Sequence, residues 1–524
     1  MPGGILIGKN NGKEALIMMT KSIITCYMLD AEDRKLLSGE VQQAEMLARL
    51  PEEYRRLKEF YDALSEKYNA LQEQNQALSG RIQALMQQPG SAASAPVPAA
   101  YSADASLRND PVLPESQPVT DAVRNTGTIA PAPAAQNPDS EEDLSSLTEE
   151  ADPNSFVIQG NTLIRYRGIA QLVRIPQHIA VIGANAFDNC TSVRRVIIPE
   201  GVIRIEEMAF ANCSALKNVK FPASLQMINN KAFMNCVLLR SAEFHGAMTQ
   251  IGTGVFLGCN SIVRIVFDCP IKKIGFDSFS GCIGLQTIEV GPNSYSYKSI
   301  DGVLFDYEGK YLIRYPAGRS NRDYIVPDSV FTIEDGAFYE SVCIERVKLS
   351  RNVKKIGASA FRNCAKLREI IFSENLETIK TAAFQGCISL VKVNLPTWTT
   401  YIGTYAFSHC ENLVKVNLPS KLTELCIGVF EYCKGLSFIR IPDSIIKIGD
   451  KAFMESGLTE VFIPYSTTKI EQQSFAFCSA LQSVFLSNRI NQIARNAFEG
   501  TNRSVMTIYG MYRSVPEEFA MSGG

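Results

Sequence analysis

Residues 182–222 read IGANAFDNCTSVRRVIIPEGVIRIEEMAFANCSALKNVKFP, and this stretch contains nearly the same pattern twice. Phe187 and Cys190 return 23 residues later as Phe210 and Cys213, and the apolar positions between them return at the same interval. A period of roughly 20 to 50 residues is the signature of a repeat architecture, in which no single unit can bury its own apolar side chains. The stretch therefore predicts a solenoid.

The phenylalanine of each copy marks the repeat along the chain. The markers are residues 187, 210, 233, 256, 279, 338, 361, 384, 407, 430, 453, 475 and 498. Every interval is 23 residues except two: the step from 453 to 475 is 22, and the step from 279 to 338 is 59, which is 23 plus 36. We therefore expect repeats over residues 155–520, with an inserted atypical unit near 290–327.

Each unit holds two apolar segments. In SVRRVIIP, the alternation near Val196 and Ile198 indicates a short strand, and Pro199 ends it because proline cannot donate a hydrogen bond to the next coil. Ile205 and Phe210 supply bulk from the opposite wall. Coils stacked about 4.8 Å apart would bury these groups, and roughly fifteen coils would span about 70 Å. We expect an α/β repeat solenoid with one parallel sheet face.

Ten of the 14 cysteines share one register of the repeat. They are Cys190, Cys213, Cys236, Cys259, Cys282, Cys364, Cys387, Cys410, Cys433 and Cys478. Ser341, Ser456 and Thr501 take the same place in other copies, which indicates a small, weakly polar core position. Metal sites need tight pairs such as C-x-x-C with histidine nearby, and the sequence has none. We predict no metal site, and reduced thiols favour a cytoplasmic location.

The repeat units also identify a family resemblance. IGANAFDNCTSVRRVIIPEGV and IGTYAFSHCENLVKVNLPSKL resemble BspA-like leucine-rich repeats, and the resemblance covers residues 155 to about 520. The segments FVIQGNTLIRYRGIAQLVRIP (156–176) and SYKSIDGVLFDYEGKYLIRYPAGRSNRDYIVP (296–327) both resemble the first coil of that family. The resemblance implies a curved leucine-rich-repeat array used for protein or surface interaction, often in secreted or displayed bacterial proteins, and implies no catalysis.

Residues 31–88 are predicted to be helical and to form a coiled coil. Leucine occupies five consecutive d positions of a heptad pattern, and asparagine occupies one a position. These residues are Leu57, Leu64, Leu71, Leu78 and Leu85 at d, and Asn75 at a. The pattern predicts self-association, because a buried asparagine fixes the register by meeting its counterpart across the seam. A long helix that folds back on its own chain is the alternative.

The flanking segments carry little apolar material or no clear signal. Residues 89–154 are rich in Pro, Ala and Ser and then acidic, so we expect a disordered linker. Residues 1–30 have no assigned role. Their apolar part, ALIMMTKSIITCYML, is interrupted by Lys21 and lacks a cleavage site of the A-x-A type, so we expect no export signal. A processed, secreted form is the alternative.

The bulk composition excludes several partner classes. Lys plus Arg total 52 and Asp plus Glu total 54, a net charge of −2, so nothing favours nucleic acid as a partner. The sequence contains no run of about 18 apolar residues, so we expect no insertion into a membrane. The three histidines lie in different coils, and no nucleotide-binding or hydrolase motif is present. We therefore expect no catalytic residues, no cofactor and no enzyme activity.

Interaction is the function that the exposed strand positions favour. Phe438, Arg440, Phe462 and Phe485 fall on successive coils, and exposed aromatics beside arginine are typical interface anchors. A basic strip of Arg346, Lys348, Lys392 and Lys415 is the alternative site. A register shifted by one residue would bury the phenylalanines instead. The sequence predicts a protein-interaction scaffold that oligomerises through its coiled coil and binds a macromolecule on the sheet face. The alternative is a secreted or cell-surface adhesin with the same fold.

Overall fold

The computed structural model describes residues 5–10, 13–20, 23–28, 151–510 and 514–521. The first three ranges are antiparallel strands: β1 (Ile5–Asn10), β2 (Lys13–Thr20) and β3 (Ile23–Met28), paired in that order. The predicted coiled coil of residues 31–88 and the linker up to residue 150 lie outside the described residues. The repeats begin after a short 3-10 turn, Pro153–Ser155.

The repeat region is a stack of coils, each with two short parallel strands on different walls. We call the wall of longer strands the sheet face. Its strands are β6 (Leu172–Arg174), β8 (Arg195–Ile197), β10 (Asn218–Lys220), β12 (Ser241–His245), β14 (Arg264–Asp268), β16 (Thr287–Val290), β20 (Asp323–Ile325), β22 (Arg346–Lys348), β24 (Glu369–Ile371), β26 (Lys392–Asn394), β28 (Lys415–Asn417), β31 (Glu460–Phe462), β33 (Ser483–Phe485) and β35 (Thr507–Tyr509).

The opposite wall, which we call the back row, consists of two-residue strands and two longer ones. They are β5 (Thr162–Tyr166), β7 (Val181–Ile182), β9 (Arg204–Ile205), β11 (Met227–Ile228), β13 (Gln250–Ile251), β15 (Lys273–Ile274), β19 (Tyr311–Arg314), β21 (Thr332–Ile333), β23 (Lys355–Ile356), β25 (Thr378–Ile379), β27 (Tyr401–Ile402), β29 (Glu424–Leu425), β30 (Lys447–Ile448), β32 (Lys469–Ile470) and β34 (Gln492–Ile493). Hairpin strand β4 (Phe156–Gln159) precedes β5, and β17 (Tyr297–Ile300) and β18 (Val303–Asp306) precede β19.

The pairing register equals the sequence period. Val196 pairs with Val219 on the sheet face, and Ile205 pairs with Ile228 in the back row. A third segment with two left-handed residues, such as Asn185 at φ 56° in the coil of β7 and β8, links the back row to the sheet face. The predicted repeat solenoid with parallel strands is therefore confirmed, whereas the expected α/β class and single parallel sheet are wrong. Two parallel rows are present, and among the described residues only α1 (Val515–Met521) is an α-helix.

The core consists of identical side chains stacked in columns. The ring centroids of Phe187 and Phe210 are 4.7 Å apart, and those of Phe338 and Phe361 are 4.6 Å apart. All four rings are fully buried. Burying a phenylalanine side chain contributes about 1.5–3 kcal/mol, and each coil obtains this burial only from its neighbours.

The inserted unit begins a second array. The tetrapeptide LIRY occurs at 163–166 and again at 312–315, each time at the last strand of an antiparallel hairpin. Tyr166 stacks on Phe187 at 5.1 Å, and Tyr315 stacks on Phe338 at 4.9 Å, so each tyrosine occupies the phenylalanine position of a first coil. Two buried clusters result, one up to Leu304 and one from Val303 onward. The solenoid is thus two arrays in tandem.

Arg314 joins the two arrays. Its guanidinium donates to the carbonyl of Phe279 (3.0 Å) in the first array and to that of Gly336 (2.6 Å) in the second. The side chain is buried, and burial lowers the pKa of the guanidinium. Arg165, the corresponding residue of the first LIRY, is exposed, and among the described residues no coil stacks in front of it.

Helix α1 covers the far end of the second array. Phe519 is 7% exposed, and its ring lies 5.8 Å from that of Phe498 in the last marked coil. No helix in the part of the chain that the structure describes is long and apolar enough to cross a membrane.

Candidate interaction surface

The sheet face presents two columns of outward side chains. In β22, β26 and β28 the central valine is buried, and the residues on both sides of it are exposed. The predicted register of the sheet face is therefore confirmed. The outward side chains differ in character along the array, and three stretches can be distinguished.

In the first stretch the outward charges neutralise each other. Arg264 donates from Nε and a terminal nitrogen to both carboxylate oxygens of Glu289, each at 2.8 Å, and donates to Glu243 at 2.7 Å. The hydrogen bonds from Arg264 lower the pKa of Glu289. These groups lie on three adjacent strands, β12, β14 and β16. A partner would have to break this network to use its charges, so this stretch is not a strong candidate.

Arg346 is compensated in a similar way. Its guanidinium donates two hydrogen bonds to the Asp323 carboxylate, at 2.6 and 2.8 Å, and these hydrogen bonds lower the pKa of the Asp323 carboxyl. The sequence analysis missed Asp323 because the inserted unit interrupts the 23-residue count just before it. Arg346 therefore contributes less free positive charge to the basic strip than was expected.

The second stretch, from β26 to the coil of Arg440, is basic. Lys392, Lys415 and Arg440 are exposed, and among the described residues none of the three takes part in an ion pair. The same holds for Lys348 on β22. Lys392 and Lys415 occupy directly paired positions of β26 and β28. Like charges at paired positions are destabilising, so the fold maintains this arrangement at some cost in stability.

Exposed apolar side chains lie among these cations. Val391 is 47% exposed, Val414 is 53% exposed and Phe438 is 48% exposed, and the Val414 N–H donates to the Val391 carbonyl of the adjacent coil. We call this area the basic–apolar patch. It comprises Val391, Lys392, Val414, Lys415, Phe438 and Arg440. Exposed apolar groups surrounded by charged groups mark interaction sites in soluble proteins.

The third stretch carries an aromatic stack. Phe485 lies between Phe462 at 4.4 Å and Tyr509 at 4.5 Å, with the three rings nearly parallel. Phe485 is only 6% exposed, so the expectation that it is an exposed anchor is wrong. The register was right, since Val484 next to it points into the core. The rings cover one another because paired positions on parallel strands bring them into stacking distance.

An exposed tryptophan lies outside the sheet face. Trp398 is 57% exposed, and the Lys421 ammonium lies 3.5 Å above its ring. It borders a shallow groove near the back row, where Lys354 and Glu377 form an ion pair at 3.0 Å. The sequence analysis did not select this residue. The sequence did offer one signal for this site, because Trp398 is the only tryptophan of the chain.

The cysteine column is structural. Nine of the ten thiols are buried and donate to the phenylalanine carbonyl of the preceding coil at 3.0–3.3 Å, for example Cys213 to Phe187. Burial raises the pKa of Cys282 and Cys364 to about 12. Such thiols are protonated and inert at neutral pH.

No catalytic or metal-binding arrangement is present in the described part of the chain. The rings of His409 and Tyr432 stack with their centroids 4.3 Å apart, whereas the neighbouring Cys410 thiol donates to the Phe384 carbonyl inside the core. The adjacent histidine and thiol therefore point apart. Among the described residues no group of three His, Cys, Asp or Glu side chains is arranged to hold a metal ion.

Comparison with known proteins gives one matching family and several related folds. A family model described as BspA type Leucine rich repeat region (6 copies) matches residues 170–308, 320–436 and 400–519. A solved leucine-rich repeat protein from Eubacterium ventriosum ATCC 27560 is 22% identical, with 66% of this chain and 89% of that chain covered and a TM-score of 0.51. At this identity the likeness shows the fold alone.

Two further solved structures are similar in sequence to the same degree. The pneumococcal vaccine antigen PcpA is 21% identical, with 63% of this chain and 78% of that chain covered and a TM-score of 0.48. A leucine-rich repeat protein from Bacteroides ovatus ATCC 8483 is 23% identical, with 69% and 91% covered and a TM-score of 0.43. No curated protein matches the chain.

Proposed function

Because this chain belongs to the BspA-type leucine-rich repeat family, we propose that it is a non-enzymatic interaction scaffold that binds a protein partner on its sheet face. Proteins of this family are generally repeat scaffolds without catalytic activity. The observation that carries the proposal is the basic–apolar patch, where Val414 and Phe438 are about half exposed beside uncompensated lysines. Apolar anchors within a charged rim are the usual anatomy of a protein interface.

The patch is favoured over the rest of the sheet face for an energetic reason. Its cations are free of ion pairs within the described residues, so a partner gains their attraction without first breaking an existing bond. Arg264 and Arg346, by contrast, already make two hydrogen bonds to one carboxylate. Phe485 is buried, and Phe462 and Tyr509 are half-buried.

Assembly is the second element of the proposal. The heptad pattern centred on Leu64, Leu71 and Asn75 would gather several chains, and residues 89–154 would let their sheet faces reach separate sites. Linked copies then bind more tightly than one copy, because the second contact forms at a high effective concentration.

The proposed location is the cytoplasm. The column of reduced thiols supports it, since free cysteines persist in reducing compartments. Sequencing the N-terminus of the mature chain tests this location, and an intact Met1 would agree with it. An N-terminus processed within residues 1–30 would instead indicate the secreted or surface-displayed adhesin.

The binding surface is tested with the full-length chain as bait. Phe438→Ala combined with Arg440→Ala should reduce partner capture at least tenfold, because burying one phenylalanine contributes about 1.5–3 kcal/mol and tenfold corresponds to about 1.4 kcal/mol. Both side chains are exposed, so the melting temperature should stay nearly constant.

The matched control is Trp398→Ala, which removes an equally exposed aromatic ring outside the sheet face. It should leave capture unchanged. Capture that survives the double substitution, or falls equally with the control, would place the binding site elsewhere on the solenoid.

A further inference from the structure

The basic–apolar patch combines two properties that narrow the chemistry of its partner. Lys392 and Lys415 stand at paired positions on adjacent strands, Phe438 takes the corresponding position in the next coil, and Arg440 lies in the neighbouring column, where it is bridged to Asn417. Val391 and Val414 lie beside the two lysines, and Phe438 lies beside Arg440. The complementary surface is a segment with several carboxylates and a few apolar side chains.

The chain itself contains such a segment. Residues 139–150 read DSEEDLSSLTEE, with six acidic residues, no basic residue, and leucines at 144 and 147. We propose that this segment of a second copy of the chain docks on the basic–apolar patch, so that neighbouring subunits are linked tail to face. This inference rests on the proposed function, because it requires the sheet face to be the binding surface.

Chain length excludes docking within one subunit. The Ala151 N–H donates to the Leu172 carbonyl, which places Ala151 in the first coil. Lys415 lies about ten coils further along, a distance of about 48 Å. Asp139, the first residue of the segment, is twelve residues before Ala151 and can reach at most about 43 Å from it, and Leu144 can reach at most about 25 Å. The segment of a given chain therefore cannot cover its own Val391, Val414 and Lys415.

A second copy has no such restriction, and electrostatics favour it. The carboxylates would relieve the repulsion between the paired lysines, and the leucines would cover Val391 and Val414. Contacts of this kind are partly exposed and screened by salt, so the attraction should weaken with ionic strength. Held together by the proposed coiled coil, the subunits would present the segment at high effective concentration.

The experiment uses full-length chains in natural-abundance and ¹⁵N forms, mixed so that subunits exchange. A water-soluble carbodiimide then joins carboxylates directly to lysines in contact with them. Peptides from 139–150 should be found joined to peptides containing Lys392 or Lys415, with mixed isotopic labels. Cross-links found only between peptides of the same label, or none to this patch, would overturn the proposal.

Charge substitutions provide the second readout. Lys392→Glu with Lys415→Glu removes both the positive charge and the reactive amines of the patch, so these cross-links should be lost, and the decisive readout is the rescue by reversed charges. The matched control is Lys272→Glu with Lys273→Glu, which makes the same charge change at exposed positions at the back row and should have no effect. Adding Glu141→Lys, Glu142→Lys and Asp143→Lys to the first variant should restore cross-linking with reversed polarity. Failure of this rescue would contradict a direct contact.

The result also separates this inference from the proposed function. If capture of an external protein depends on Phe438 and Arg440 while no cross-link from 139–150 forms, the patch binds a different partner and only the inference falls. If neither capture nor cross-linking depends on the patch, both fall.

Discussion

At the scale of single residues, the cysteine column shows why one small side chain recurs in this fold. Each thiol fills a small, closed space and donates to a phenylalanine carbonyl of the preceding coil, which also accepts a backbone N–H. A thiol is a weak donor, so the cysteine contributes mainly by packing. Serine and threonine are also small and weakly polar, which agrees with their presence at 341, 456 and 501.

Substitutions at Cys387 test this reading. Cys387→Ser should be mild, since Ser456 already occupies the equivalent place in another coil. Cys387→Leu should destabilise by about 1–3 kcal/mol because the coil is closed around the thiol. Denaturant unfolding measures both changes. Thiol labelling of the wild type without denaturant should leave Cys387 unmodified, and its rapid modification would show that the column is open.

The left-handed turn positions are a second feature of this scale. The position two residues before the marker phenylalanine has positive φ in every marked coil from Phe187 to Phe475, and glycine occupies it at 254, 336 and 428, whereas Lys451 holds it at φ 54°. An L-residue pays roughly 1–2 kcal/mol for this conformation, and glycine does not. The repeat tolerates the strain because the turn is fixed by hydrogen bonds to the next coil.

Lys451→Gly should therefore raise the free energy of unfolding by about 0.5–1 kcal/mol, part of the relief being offset by the greater freedom of glycine in the unfolded chain. The comparison is Lys434→Gly, an exposed lysine without positive φ, which should lower stability. Chemical denaturation of the two variants distinguishes them. Destabilisation of equal size in both would show that the turn carries no strain at residue 451.

At the scale of elements, both rows and the stack of phenylalanine rings are interrupted at the junction between the two arrays. β16 and β20 are not paired, the back row is interrupted between β15 and β19, and the stack of phenylalanine rings restarts at Tyr315. Arg314 compensates by bonding carbonyls on both sides of the break. A buried guanidinium at this place replaces the backbone pairing that the hairpin prevents.

Arg314→Ala should destabilise the protein by about 3 kcal/mol, since it removes hydrogen bonds of a buried guanidinium to both arrays and creates a cavity. Arg165→Ala removes the same residue of the other LIRY, where it is exposed, and should change stability by less than about 0.5 kcal/mol. Thermal unfolding of both variants is the measurement. Equal effects would mean that Arg314 does not join the arrays.

At the scale of the whole molecule, the repeat region and the heptad region divide two tasks. The solenoid offers a long surface with one candidate patch, and the heptads are predicted to set the number of patches per assembly. Asn75→Val should raise thermal stability while broadening the oligomer state, because a buried asparagine selects a register at a cost in stability. Light scattering on the full-length variant measures this, and an unchanged single state would contradict the role given to Asn75.

The sequence by itself determined the repeat and its orientation. A strict 23-residue period sets the coil length, and its apolar positions define which side chains face inward, so the buried Phe187, Cys213 and Val196 could be predicted. Such features depend on the spacing of residues within a coil, and this spacing recurs from one coil to the next. The prediction that the sheet face alternates in and out about each central valine was right for the same reason.

Only the tertiary structure decided what the outward side chains do. Contacts between coils pair Arg346 with Asp323, cover Phe485 with two rings, and bury Arg314 but not Arg165. Each of these depends on which coil stacks on which, and the inserted unit changes that order without changing the local pattern. Periodicity fixes the inside of a solenoid, whereas the state of its surface depends on neighbours that the period does not specify.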